Sequence, residues 1–371
     1  MFSKSVGVIL FYFAYGSYYV LLKPRFIDLN ATYFQILLID SLPAFVALTS
    51  MLWGRLADVL SRRMFLILSS IGGAVIVLFS YFNTIRSLLL LLGILSIFSS
   101  MAIPVINALF SFDKEVEKSF SHYLFAEAVG WSLSGIFMGL FSKSLASMRI
   151  AYWVGGISWL SGIGILSLNY REKRNDVGGE LVDLKYTPSK IFIILMVGLL
   201  LFEFGVVTSY GILSVKLYET LNKSKFLYGI FWATLPSLAS VAVSRPYGSL
   251  VKRITPWNSL ILISLLYAVN ITILSISKGY LMALFWTLPL WNFVYIALYS
   301  AVSVLTPERF RASGFGFTNS VLNLAMVLSI VSGFFADKLG RNFGIFLGLT
   351  AVINSFFAFV ILNRIFIKKG K

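Results

Sequence analysis

The chain has 371 residues, 58% hydrophobic and 12% charged, with a mean hydropathy of +0.87; soluble domains carry about 45–50% apolar and about 25% charged residues, so the surplus apolar surface must face lipid. The net charge of +16 comes with no continuous basic face carrying stacking aromatics, which argues against a nucleic-acid partner. Cysteine is absent and His122 is the single histidine, so disulfides and thiol chemistry are excluded, a metal centre is not expected, and no cofactor is called for.

Twelve windows are long and apolar enough to cross a bilayer, which takes roughly 20 helical residues. In chain order they are spans 1 to 12, at 5–22, 31–53, 64–82, 87–111, 123–141, 150–169, 191–213, 226–244, 258–276, 279–305, 315–335 and 343–363. The first is too long for the core of a cleaved signal, about 7–15 residues, and ends at Lys23-Pro24-Arg25, so it is kept as a spanning helix. Most connections are short. The exception, Tyr170 to Lys190, is polar and contains Gly178-Gly179 and Pro188. It divides the chain into a six-helix bundle at 1–170, a linker at 171–190 and a second six-helix bundle at 191–371.

With the N-terminus inside, the inner segments hold 20 Lys and Arg and the outer segments 11. That bias predicts a multi-pass protein of the plasma membrane with both termini in the cytoplasm. The halves also echo each other. Phe13-Ala14-Tyr15-Gly16 answers Phe202-Glu203-Phe204-Gly205, Leu29-Asn30 answers Leu221-Asn222, Leu42-Pro43 answers Leu235-Pro236, and Gly54-Arg55-Leu56 answers Gly248-Ser249-Leu250. Four pairs in order, at offsets of 189 to 194, point to a duplicated six-helix unit of the kind found in alternating-access transporters.

Only Asp40, Glu127 and Glu203 are charged within the windows, and no spanning lysine or arginine balances them. A charge at the centre of a spanning helix costs about 2.5–3.5 kcal/mol, so each is a functional candidate. Asp40 and Glu203 lie near mid-membrane and are suited to take up and release protons as access alternates, or to bind Na⁺ or a cationic solute. Glu127 lies nearer the inner end of span 5 and is the weakest of the three.

Between spans 2 and 3 the chain reads Gly54-Arg55-Leu56-Ala57-Asp58-Val59-Leu60-Ser61-Arg62-Arg63. This resembles the signature of the major facilitator superfamily, Gly-x-Leu-(small)-Asp-x-x-Gly-Arg-(Arg/Lys), with Ser61 in place of the second glycine. A further match, Gly333-Phe334-Phe335-Ala336-Asp337-Lys338-Leu339-Gly340-Arg341, follows span 11 on the outer side and is not given the signature's role. The resemblance implies an all-α fold of twelve helices in two pseudo-symmetric six-helix bundles. It also implies a cytoplasmic gate in which Gly54 permits close approach, Asp58 faces the N-terminal end of span 11, Arg62 pairs with Asp113 or Glu115 at the end of span 4, and Arg63 completes the motif. Gly130, Gly135 and Gly139 resemble the family's packing glycines in span 5.

The family places spans 1, 4, 7 and 10 around a central cavity. That implies a solute site drawn from Tyr15, Tyr18, Tyr19, Asn107, Glu203, Tyr210, Trp286, Asn292 and Tyr295, with Asp40 beside it. Aromatic faces with a few amides and hydroxyls suit a sugar-like or amphipathic solute. The expected activity is secondary transport by a monomer, coupled to protons or to Na⁺. An exporter of the same fold and a non-transporting membrane sensor or scaffold are the alternatives. No His-Glu-x-x-His or nucleotide-binding loop is present to support an enzyme.

Overall fold

The computed structural model describes residues 2–111, 116–169, 189–306 and 311–369. The described chain is helical throughout. Ten helices are long and apolar enough to cross a membrane, from Phe2–Asp28 through Arg341–Phe366. The two remaining windows, spans 2 and 3, are each built from two shorter helices. Span 2 is Tyr33–Ala47 followed by Ser50–Val59, and span 3 is Arg62–Ser69 followed by Ile71–Leu78.

Each break has a local cause. In span 2, Pro43 removes an amide donor one turn before the break, and the Thr49 hydroxyl donates to the Val46 carbonyl (2.6 Å) in competition with the backbone. In span 3 the Ser69 carbonyl is taken by the Trp159 indole N–H (2.8 Å). Span 8 carries a π turn at Ile230–Thr234, and span 10 is interrupted between Trp286 and Leu290, where Pro289 disfavours helix at the residue before it. Ser61, the departure from the family signature, is the N-cap of Arg62–Ser69 and accepts from the Met64 amide (3.1 Å).

The chain gathers into two compact units. Among the described residues, one falls within 1–30, 46–182 and 221–241, and the other within 31–45, 183–220 and 242–371. Each unit therefore takes in one segment from the other sequence half. In the first unit, segment 221–241 packs on span 5. A Cβ on Gly135 would lie 2.7 Å from the Gly229 carbonyl oxygen, and one on Gly139 would lie 2.9 Å from Phe226 Cα. Thr234 Oγ1 donates to the Ser132 carbonyl (3.0 Å), and Ser132 Oγ returns a bond to the Thr234 carbonyl (3.4 Å). Gly130, on the same helix, meets span 1 at Ile9 and Phe13. All three glycines of span 5 thus serve backbone-to-backbone approach.

Spans 1 and 7 run further than hydropathy suggests, to Asp28 and Thr220 rather than 22 and 213. The reason is that their terminal cations, Arg25 buried and Lys216 half-buried, pack against helix ends instead of standing in a loop. Arg25 is 6% exposed and donates to the Phe79 (3.1 Å) and Phe82 (2.8 Å) carbonyls at the end of span 3 and to the Tyr152 hydroxyl (2.9 Å). Lys216 donates to the Leu274 (2.9 Å) and Ser275 (2.5 Å) carbonyls at the end of span 9. These are corresponding positions, 191 residues apart, and each satisfies carbonyls that a helix end leaves without partners. Asn30 (φ 57°) and Asn222 (φ 52°) likewise share the left-handed backbone region that asparagine tolerates. The duplication is visible in side-chain contacts as well as in sequence.

Arg25→Met keeps the apolar stem and strips the donors, leaving buried carbonyls unpaired. It is expected to destabilise the protein by about 3 kcal/mol, read as a lower midpoint of thermal unfolding in detergent; an unchanged midpoint would show that those carbonyls find other donors.

Candidate functional site

Glu203 lies on span 7 (Lys190–Thr220), with 0% of its surface exposed. Neither carboxyl oxygen has a hydrogen-bond partner among the described residues. Its titratable neighbour is Tyr267 of span 9, which packs edge-on against Phe202 (5.2 Å between centroids). Two turns further along the same face, Tyr210 donates to Asn270 Oδ1 (2.6 Å), and Asn270 Nδ2 donates to the Phe285 carbonyl (3.1 Å). Trp286 tilts against Tyr210 at 5.1 Å and is itself buried. Three of the expected residues, Glu203, Tyr210 and Trp286, therefore come together inside the second unit. Their company on span 9, Tyr267 and Asn270, was not singled out in the sequence. Nothing in hydropathy marks them; an asparagine in an apolar helix is the one available signal.

Asp40 is also in the second unit, half-buried, with Oδ2 3.8 Å from where a Cβ on Gly211 would stand. Gly211 is eight residues beyond Glu203, about 12 Å along the helix at 1.5 Å per residue. Asp40 therefore meets span 7 about two turns from Glu203, at the level of Tyr210. Asn292 and Tyr295 lie on Leu290–Leu305, where Tyr295 packs edge-on against Trp291 (4.4 Å).

In the first unit the tyrosines of span 1 separate by face. Tyr18 is buried and stacks on Phe79 (5.6 Å), so it belongs to the packed interior. Tyr15 and Tyr19 meet Trp131 of span 5 (5.6 and 6.0 Å), and Tyr19 also meets Trp232 of the exchanged segment (5.9 Å). Span 5 brings Tyr123, Glu127 and Trp131 to the same side at a spacing of four residues. The Tyr12 and Tyr123 hydroxyls are 2.5 Å apart, and Glu127 is an electrostatic neighbour of Tyr12. Asn107 of span 4 has a buried Oδ1 with no hydrogen-bond partner among the described residues. Glu127 is half-buried where Glu203 is sealed, and it is the only carboxylate beside this aromatic group among the spanning acids.

Of the gating residues, Asp113 lies outside the described residues, as do the surroundings of Gly54, the side chain of Asp58 and most of the 171–190 linker; Arg62 and Arg63 open the helix Arg62–Ser69. Among the described residues no three His, Asp or Glu side chains gather as a metal site would require.

Comparison with known proteins bears on the whole chain. Among solved structures, a point mutant of the nucleoside transporter NupG superposes with a TM-score of 0.77 at 15% identity, covering 100% of this chain and 99% of that one. A POT family transporter in complex with 5-aminolevulinic acid gives 0.75 at 13% identity, covering 98% and 96%. A bacterial homologue of the human lysosomal transporter Spinster gives 0.72 at 14%, covering 97% and 94%. At such identities the likeness is one of fold. No curated protein sequence matches the chain significantly. The sequence profile of the Major Facilitator Superfamily matches residues 5–330, and with a multi-pass helical fold built on a duplicated unit beneath that match, the chain belongs to the Major Facilitator Superfamily.

Proposed function

We propose that the protein is a proton-coupled secondary transporter, which moves a small sugar-like or amphipathic solute by alternating access across the plasma membrane. In this reading the chain is organised as six-helix bundles at 1–170 and 191–371 joined by the 171–190 linker, and both termini are cytoplasmic. The observation that carries it is the Glu203 carboxyl, sealed in a spanning helix with no donor in reach among the described residues. A carboxylate there would be a bare charge in a medium that penalises it heavily, so this conformation favours the neutral acid. Ionisation then requires a conformation that wets the group, and that requirement links proton binding to conformational change.

The solute-binding candidates divide between the two units. Tyr15, Tyr19 and Asn107 in the first are joined by Glu127, Trp131 and Trp232; Tyr210 and Trp286 in the second are tied to Asn270. Half-buried rings with a carboxyl group on the same face of span 5 support recognition of a solute with both apolar and hydrogen-bonding faces.

The test is ligand-induced stabilisation of the purified protein in detergent. The panel comprises sugars, nucleosides, short peptides, amino acids, organic acids and lipophilic cations, at two pH values. A solute that binds the folded state stabilises it by mass action, by about 2.7 kcal/mol at a hundredfold excess over Kd, and so raises the unfolding midpoint. At least one class is expected to stabilise, and to do so more strongly at one pH than at the other. Stabilisation without pH dependence would remove proton coupling; no stabilisation by any class would favour a non-transporting sensor.

A further inference from the structure

The sequence at the end of span 11, Gly333 to Arg341, matches Gly54 to Arg62 at Gly, Ala, Asp, Leu and Arg in register. On this copy the structure shows what nearly every matched residue does. A Cβ on Gly333 would lie 2.8 Å from Phe34 Cα, so glycine lets span 11 touch the start of span 2. Ala336 is buried against Gly344. Asp337 accepts the Tyr33 amide at Oδ1 (2.6 Å) and the Phe34 amide at Oδ2 (3.0 Å). Those are two of the N–H groups that the first turn of Tyr33–Ala47 leaves without intrahelical partners. Gly340, at φ 92°, ends span 11 in the left-handed region and donates its amide to the Ala336 carbonyl (2.9 Å). Arg341 pairs with Glu219 (3.0 Å), and both stand beside the Tyr33 hydroxyl.

Below the acid the contact continues as a seam. Leu37 packs where Gly211 and Gly333 leave room, and Ser41 donates to the Met326 carbonyl (2.6 Å) with Ser329 Oγ at 3.3 Å. Segment 31–45 is thus held on span 11 by small-residue packing along its length and by one carboxylate at its end. The packing is short-ranged, and the Ser41 hydrogen bonds within it are buried. The carboxylate is solvent-exposed and makes both of its observed bonds to the backbone of the other half. It is therefore the reversible part.

We propose that Asp337 is an outer latch: while it caps Tyr33 and Phe34 the outer end of span 2 stays clamped to span 11, and its release lets that end open. The proposal rests on the orientation and the alternating-access reading given above. The latch shifts a population between two conformations rather than gating by a moving lid, so removing it changes the ratio of open to closed without any solute present.

The absence of cysteine makes the test direct. Ser41, fully buried in the seam, is replaced by cysteine in the full-length chain, and a membrane-impermeant maleimide is added to intact cells. The S41C thiol is expected to react slowly, S41C/D337A at least tenfold faster, and S41C/D337N at an intermediate rate, because the amide keeps one acceptor oxygen. Equal rates in all three overturn the latch. Acceleration seen only in inverted vesicles keeps the clamp but overturns the proposed orientation. Because labelling needs no solute, a chain that transports nothing would still report on the latch. Should D337A fail to purify as a monodisperse species, D337N carries the test: a rate equal to that of S41C alone is then the refuting result.

Discussion

Glu203→Gln is expected to abolish the response of solute movement to an imposed pH gradient while leaving solute exchange running at close to the wild-type rate. The side chain is fully buried and neither oxygen finds a donor among the described residues, so glutamine, the neutral isostere, preserves shape and packing but not the titration. In vesicles with a pH difference, gradient-driven accumulation should fall at least tenfold, equivalent to about 1.4 kcal/mol or more of lost coupling. Counterflow of labelled against unlabelled solute needs no net proton movement and should survive. A variant that still accumulates solute under a pH gradient would show that the proton is carried elsewhere, with Asp40 the next residue to test. Loss of exchange together with accumulation would instead mean that Glu203 contacts solute or supports the fold.

Gly205→Leu is expected to leave no correctly folded protein. A Cβ at Gly205 would stand 2.4 Å from the Gly348 carbonyl oxygen and 2.9 Å from the Val352 amide nitrogen. Both are backbone atoms of span 12, and no side-chain rotation moves them away. The converse holds at Gly348, where a Cβ would meet the Gly205 carbonyl oxygen at 2.7 Å. Spans 7 and 12 would have to separate along the most extensive helix–helix contact of the second unit. Overpacking a well-packed interior costs about 1–3 kcal/mol where side chains can yield, and more where only backbone can. Gly205→Ala should already lower the unfolding midpoint, whereas Gly164→Leu, where nothing lies within 4 Å of an added Cβ, should not. A monodisperse Gly205→Leu protein with a wild-type midpoint would refute this contact.

The sequence carries the spans plainly because the length of an apolar run reports directly on transfer into lipid. It carries the duplication because four short matches keep nearly constant spacing. It misplaces the ends of spans 1 and 7, since a hydropathy window counts Arg25 and Lys216 as loop charges and cannot see the carbonyls that receive them. The same blindness divides the candidate site. Tyr18 and Tyr19 are neighbours in sequence, yet the first stacks into the interior on Phe79 while the second meets Trp232, a residue more than two hundred positions away. Which face of a spanning helix meets protein depends on its partners, and here those partners include segments exchanged between halves. The match at Gly333–Arg341 was legible as a pattern, but its role depended on where Tyr33 and Phe34 lie.

That exchange also bears on how the protein is made. Residues 31–45 leave the ribosome near the beginning of synthesis, yet their seat on span 11 is translated some three hundred residues later. The glycine face of span 5 is likewise inserted before residues 221–241 exist to cover it. Neither unit can therefore finish assembling in the order of translation. A nascent chain halted at the 171–190 linker would hold one segment with nowhere to dock and one groove with nothing to fill it. Biogenesis of this transporter is a problem of two halves waiting for each other in the bilayer, and a chain severed at the linker should regain structure only when both fragments are synthesised together.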